Sequence, residues 1–270
     1  MSKAPTKVAR QYPTPALEKG LDILELFASE PAGLTKSDVA RRLGRTVSEI
    51  FRMLVCLEKR GYISQSHDGE RYRLTLRLFK LALEYPPTKR IIAEALPIMQ
   101  QVAYEINQSC HLGVLDCDHL VILSQVDSPL STGFYGKVGR IVDLVRGATG
   151  QVILAHQTPE TCARAIQLWC KQHNAHPPRD LAAQLARIKK RGYEVKSSYE
   201  VKGIINVSFP VLDDRGYAIA ALTVPFLQRI GDPTNPTRVR RVLKEASSLL
   251  SEAIGGAEMQ KGTERRLRSK

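Results

Sequence analysis

Residues 34–64, LTKSDVARRLGRTVSEIFRMLVCLEKRGYIS, constrain the fold more than any other stretch of the chain. Two short segments with helical apolar spacing are separated by one glycine. Val39, Ala40 and Leu43 make the first stripe, and Ile50, Met53, Leu54 and Leu57 make the second. Thr35, followed three residues later by Asp38, comes close to a capping box. Gly44 stands where a helix end favours a residue tolerant of positive φ, and Gly61 ends the second helix. Tyr62 and Ile63 then read as strand. Asp68-Gly69 is a strong two-residue hairpin signal, and Tyr72 and Leu74 alternate with Arg71 and Arg73 on the return strand. Upstream, Pro15 after Thr14 opens a helix in which Leu17, Leu21, Leu24 and Phe27 recur at helical spacing, with Ile23 beside them. Pro31 and Gly33 end it. Three helices and a hairpin predict a winged helix-turn-helix over residues 14–75.

A recognition helix presents its N-terminal polar residues to base edges in the major groove. Thr46, Ser48, Glu49 and Arg52 fall outside the buried stripe of the second helix, so they are the candidates for reading DNA. Arg41, Arg42 and Arg45 flank the turn and suit phosphates. His67, Arg71 and Arg73 lie on the wing. Charge points the same way. The net charge is +13, and residues 1–90 carry 17 lysines and arginines against 10 aspartates and glutamates. Residues 91–260 carry 18 against 16, and the tail 261–270 carries five against one. Such an asymmetry suits one end to a polyanion, the alternative being a solvated basic surface. The alternative is a winged helix used for protein contacts, in a small-molecule sensor or an enzyme.

The run from ALEKGLDILELF through GLTKSDVARRLGRTVSEIFRMLVCLEKRGYISQSHDGERYRLTLRLFKLA resembles the IclR family of bacterial transcriptional regulators. Ser48, Arg52, Leu54, Leu57, Gly61 and Tyr62 carry the likeness, and Tyr72 to Leu74 add to it. The resemblance implies an α+β chain: an N-terminal winged helix-turn-helix, a linker helix, and a GAF-like effector-binding domain around a mostly antiparallel sheet. The corresponding boundaries are a flexible basic N-terminus at 1–13, the winged helix at 14–75, a linker helix at 76–90, the effector domain at 91–256 and a disordered basic tail at 257–270. Pro86-Pro87 is read as the break between domains. The implied partners are a double-stranded DNA operator, a small organic acid and a second copy of the chain, as a homodimer or dimer of dimers.

The remaining two-thirds read as alternating helices and strands. A long helix buries Ile91, Ile92, Ala95, Ile98, Met99, Val102 and Ile106. Strands are expected around Asp116–Asp118 and over 203–227, and helices over 151–157, within 179–195 ending at Gly192, and over 236–254. RGATG (146–150) reads as a Gly-rich turn. Free amides at the start of the helix after it suit an anion, and Arg146 beside it suits a carboxylate. On the strand at 205–211, Asn206 and Ser208 share the face opposite Ile205, Val207, Phe209 and Val211; that polar face looks to solvent or to a pocket. The resemblance matches Ala148 and Thr149 to a small-residue effector loop, with Gly147 in the same turn, and Asn206 to an effector-touching strand position. It also places Lys196 where an acidic residue is usual. Lys196 and Arg146 together suggest a basic pocket.

Other chemistries find little support. No P-loop, Rossmann or nucleophile-elbow pattern is present, so no catalytic residue, enzyme activity or cofactor is expected. Cys110, His111, Cys117 and His119 lie close in sequence, as do Cys162, Cys170, His173 and His176, but neither group has paired C-x2-C spacing, and no metal site is expected. The five cysteines read as reduced. The absence of a signal-like N-terminus or a long apolar run leads to an expectation of a cytoplasmic protein with no membrane contact.

Overall fold

The computed structural model describes residues 14–84, 86–116 and 119–254. The expected basic N-terminus and tail, and Cys117, lie outside the described residues. The chain divides into two compact units, one ending at Pro86 and one beginning at Pro87.

In the first unit, α1 (Pro15–Ala28), α2 (Lys36–Arg42) and α3 (Val47–Lys59) pack around Ile23, Phe27, Val39, Ile50, Leu54 and Leu57. Ile63 and Tyr72 close the core from the sheet. Leu17 and Leu21, counted in the apolar stripe of the first helix, are exposed instead; burial starts only at Ile23. The wing is formed by β2 (Ile63–Gln65) and β3 (Arg71–Leu74), and β1 (Leu34–Thr35) adds to the far side of β3, giving the order β1-β3-β2. The turn at Asp68-Gly69 is wider than a two-residue hairpin. Ser66 N donates to Arg71 O at 2.7 Å, so residues 67–70 form a four-residue loop. Asp68 supports it by accepting from Glu70 N at 3.0 Å. A helix α4 (Arg77–Glu84) ends the unit.

The second unit opens with α5 (Pro86–Ile106). Pro86-Pro87 therefore does not break the chain before a helix at 91. A proline in a helix's first turn has no intrahelical amide bond to lose, so the pair begins the helix. The expected linker helix over 76–90 covers α4 and the first turn of α5. The strands β4 (Cys110–Asp116), β5 (His119–Val126), β6 (Ile141–Val142), β7 (Glu194–Ser197), β8 (Ile204–Leu212) and β9 (Ala218–Leu227) make one antiparallel sheet in the order β6-β5-β4-β9-β8-β7.

Both faces of this sheet are covered. On one side α5 and α9 (Pro236–Ile254) pack their apolar stripes on Val207, Phe209, Val211, Leu222 and Val224. On the other, α6 (Ala148–Ala155) runs beneath α7 (Pro159–His173) and α8 (Leu181–Arg191), with Val152, Ile153, Trp169, Leu185 and Ile188 in the second core. This second layer explains why Ser208 is fully buried although its strand alternates. Its face is packed on α6 and does not meet solvent. α7 escapes the periodicity because its buried residues, Ala165 and Trp169, are too few to make a stripe. The helix expected to end at Gly192 does so as α8, with Gly192 at φ 81°; β7, which follows at Glu194, is a strand the sequence reading lacks.

Candidate DNA interface and effector cleft

The front of α3 is fixed by a reciprocal cap. Thr46 Oγ1 accepts from Glu49 N at 3.3 Å, and the Glu49 carboxylate accepts from Thr46 N at 3.0 Å. Lys19 reaches across from α1 to Glu49 at 2.7 Å. These bonds, the Lys19 bond foremost, hold the Glu49 carboxyl down to about 2. Thr46 and Glu49, which the sequence offers as DNA readers, also cap α3 and join it to α1. The pattern T-x-x-E would have signalled this role.

The remaining exposed face of α3 carries Ser48 and Arg52, and among the described residues neither has a hydrogen bond or ion pair. Three apolar residues share that face and escaped sequence reasoning: Val47, Phe51 and Val55, 46%, 45% and 44% exposed. They recur every fourth residue, so they line one edge of the helix. Lys36 Nζ lies 5.0 Å from the Phe51 ring centre. The flanking arginines are lightly tethered. Arg41 pairs with Asp38 at 2.6 Å, Arg42 with Glu30, and Arg45 with Asp22 at 3.7 Å. Exposed pairs of this kind are worth at most about 1 kcal/mol, so a phosphate can displace them. On the wing, Arg71 donates to Gly33 O at 3.1 Å. His67 and Arg73 are exposed with no such partner among the described residues.

In the second unit, a cleft of about 60 Å³ opens between β4, β5 and the start of α6. Gly147, Ala148, Thr149 and Asn206 line it, with His111, Leu120, Ile122, Phe134, Arg140, Asp143, Tyr199 and Glu200. The helix begins at Ala148, so RGATG is not a free turn: its last three residues are the first turn of α6. Gly147 is the N-cap and brings no side-chain cap, leaving first-turn amides uncapped by any side chain at the cleft wall. Gly150 allows the close approach of α6 to the preceding segment. A Cβ there would lie 2.1 Å from Leu144 O.

A chain of hydroxyls runs inward from the cleft. Thr149 Oγ1 stands 2.9 Å from Thr223 Oγ1, and Thr223 donates to Ser208 at 2.8 Å. Thr149 therefore donates to Thr223, and its oxygen faces His111 Nε2 at 3.4 Å. Burial, with Arg140 nearby, lowers His111 to about 4, so the ring is neutral near pH 7. The Tyr199 hydroxyl accepts from Asp143 N at 3.1 Å, and burial pushes it up to about 12.

Three residues expected in the pocket are elsewhere. Arg146 points away, 3.7 Å from Asp143 and over the Trp169 ring at 5.9 Å. Lys196 donates to Gln151 at 3.3 Å and borders a separate depression with Arg187 and Arg191. Ser208 lies behind Thr223. Among the described residues the cation lining the cleft is Arg140, six residues before Arg146. No pattern marked it, because only the fold brings 140 and 200 together. Among the described residues no group of three or more His, Cys, Asp or Glu side chains is placed to hold a metal, and no helix is long and apolar enough to cross a membrane.

A winged helix with a polar reading face, carried on one chain with a cleft-bearing antiparallel-sheet domain, is the build of a two-domain transcriptional regulator. The family model for the IclR helix-turn-helix domain matches residues 16–67, and that for the bacterial transcriptional regulator IclR C-terminal domain matches residues 85–252. The chain belongs to the IclR family of bacterial transcriptional regulators, and it is a regulator, not an enzyme. Similar proteins include the HTH-type transcriptional regulator XynR of Escherichia coli, 26% identical over 89% of this chain and 97% of that protein. The HTH-type transcriptional regulator KdgR of Dickeya chrysanthemi is 27% identical over 88% and 79%. The fold matches the Thermotoga maritima IclR crystal structure at TM-score 0.70 and 24% identity, covering 88% of this chain and 98% of that one. It also matches an IclR homolog from Microbacterium hydrocarbonoxydans complexed with 4-hydroxybenzoate, at TM-score 0.71 and 24% identity over 88% and 98%.

Proposed function

We propose that this regulator binds its operator through α3 and the wing, and that a small organic acid in the second-unit cleft controls that binding and the genes for the acid's own catabolism. The observation that carries the DNA part is the exposed, unpaired Arg52 and Ser48 on a helix pinned at its front by the Thr46–Glu49 cap. Arg52 reads a base edge; an arginine can donate two bonds to guanine. Arg41, Arg42, Arg45, Arg71, Arg73 and His67 contact phosphates and fix register. Val47, Phe51 and Val55 supply apolar contact, which suits thymine methyl groups.

The acid part is supported by the uncapped start of α6, by Arg140 in the same cleft, and by the carboxylic acid held in the Microbacterium structure. The regulator acts in the cytoplasm as a homodimer or dimer of dimers, since helix-turn-helix proteins meet two half-sites. The exposed Leu17 and Leu21 of α1 supply dimer surface.

The test is a gel shift of the full chain on the DNA upstream of its own gene, over a salt series. Several phosphate contacts predict a loss of affinity of about a thousandfold or more between 50 and 200 mM salt. Absence of any shift at low salt overturns the DNA reading and favours a winged helix that contacts protein.

A further inference from the structure

We propose that Arg140 takes the carboxylate of the effector and that Glu200 occupies Arg140 until the effector displaces it. The inference rests on the reading of the cleft as the effector site and adds which residue binds the acid and what competes with it. Arg140 Nη2 donates to both Glu200 carboxylate oxygens, at 2.6 and 2.7 Å. Both side chains line the cleft. Glu200 thus stands in the cleft as a carboxylate of the protein's own, bound as a ligand's would be. Arg140 Nε and Nη1 carry no hydrogen bond among the described residues, but each bidentate edge of the guanidinium includes Nη2, so an acid that binds as a fork has to take the place of Glu200.

The neighbours leave this role to no other pair. Asp143 is tied to its own segment, its Oδ1 accepting from Val145 N at 2.8 Å and Arg146 N at 2.7 Å and its Oδ2 lying 3.7 Å from Arg146 Nε. His111 is neutral and faces Thr149. Among the described lining residues Arg140 is therefore the one cation, set against an apolar wall of Leu120, Ile122 and Phe134. That combination selects a monocarboxylate with a compact apolar body over its neutral amide.

The internal pair is weak enough to be exchanged. Its side chains are 39% and 33% exposed, in the range where ion pairs add little. Glu200 also sits in the connection between β7 and β8, next to Tyr199, whose hydroxyl holds Asp143 N. Displacing Glu200 frees this connection, so occupancy of the cleft is passed to the segment over it.

The experiment is calorimetric titration of the full chain with benzoate, pyruvate and, as the neutral isostere, benzamide. Glu200→Gln removes the competing charge and keeps the shape. It is expected to tighten benzoate or pyruvate about three- to tenfold and to leave benzamide unchanged. Arg140→Gln is expected to weaken the same acid at least tenfold. A thermal melt on each variant separates loss of binding from loss of fold, and the exposed position of the pair predicts melts close to wild type. If an acid binds the wild type and neither substitution changes its affinity, the inference is overturned and the effector reading stands. If neither acid binds the wild type or Glu200→Gln, both are overturned.

Discussion

Replacing Gly150 by alanine tests the geometry of the cleft wall. A Cβ at this position would lie 2.1 Å from Leu144 O, 2.6 Å from Leu144 C and 2.7 Å from its Cα. Carbon contacts settle near about 3.5 Å, so α6 has to back away by roughly 1 Å or more. All eight residues of α6 are buried, and its neighbours on the sheet and α8 have no slack to absorb the shift. Overpacking against backbone costs about 3 kcal/mol, the upper end of the usual range. For a unit of this size that lowers its Tm by roughly 6–12 °C. Because Gly147, Ala148 and Thr149 line the cleft from the same turn, the variant also loses the thermal shift produced by any acid that stabilises the wild type. Scanning calorimetry of the full chain reads both. Gly20→Ala is the control: it lies inside α1 with nothing within 4 Å of its Cβ, and it should stabilise the first unit by about 0.5–1 kcal/mol. A Gly150→Ala protein that melts within a degree of wild type and keeps its ligand response refutes the close-approach argument.

Arg52→Ala is expected to flatten the preference between operator and scrambled DNA, at a cost of about 1–3 kcal/mol on the operator, whereas Arg42→Ala weakens both DNAs alike; competition gel shifts distinguish them. Thr46→Ala removes the oxygen that accepts from Glu49 N and should cost about 1 kcal/mol of first-unit stability in a denaturant melt. His111 titrates near 4 when folded and near 6.5 when unfolded, so the unfolded chain binds the extra proton between those values. Stability therefore falls as pH drops from about 6.5 to 4, by up to about 3 kcal/mol, and His111→Gln should flatten that part of the pH–stability curve.

The winged helix was legible because its signals are local: the Thr35 and Asp38 spacing, Gly44 and Gly61 at helix ends, and the stripe at 50, 54 and 57. Competing local bonds add a second role at some of these positions. Thr46 and Glu49 looked like readers because they are polar and off the apolar stripe, yet the same spacing caps the helix. Asp68-Gly69 marked the wing correctly but not its width, which Ser66 and Arg71 set. In the second unit the strands at 110–126 and 203–227 were readable from alternation. Helix α6 hid Ser208 by covering the sheet's second face, which no strand pattern reveals. The cleft was legible only at Gly147–Thr149 and Asn206. His111 lies on β4, Arg140 just before β6, and Tyr199 and Glu200 in the connection after β7, and their meeting depends on these three segments converging at the start of α6. Arg146, the cation chosen from sequence, is turned outward by its neighbours Asp143 and Trp169.

The central claim is that the two units are coupled: an acid in the cleft changes how α3 holds DNA. The most direct test measures the Kd of the full chain for its upstream DNA at fixed salt, with and without a saturating concentration of the acid that most raises its Tm. A change of at least fivefold in Kd is expected, the lower end of ordinary coupling between sites, and no change in Arg140→Gln at the same acid concentration. An acid that raises the Tm yet leaves the Kd for DNA unaltered would show that the two units are not coupled.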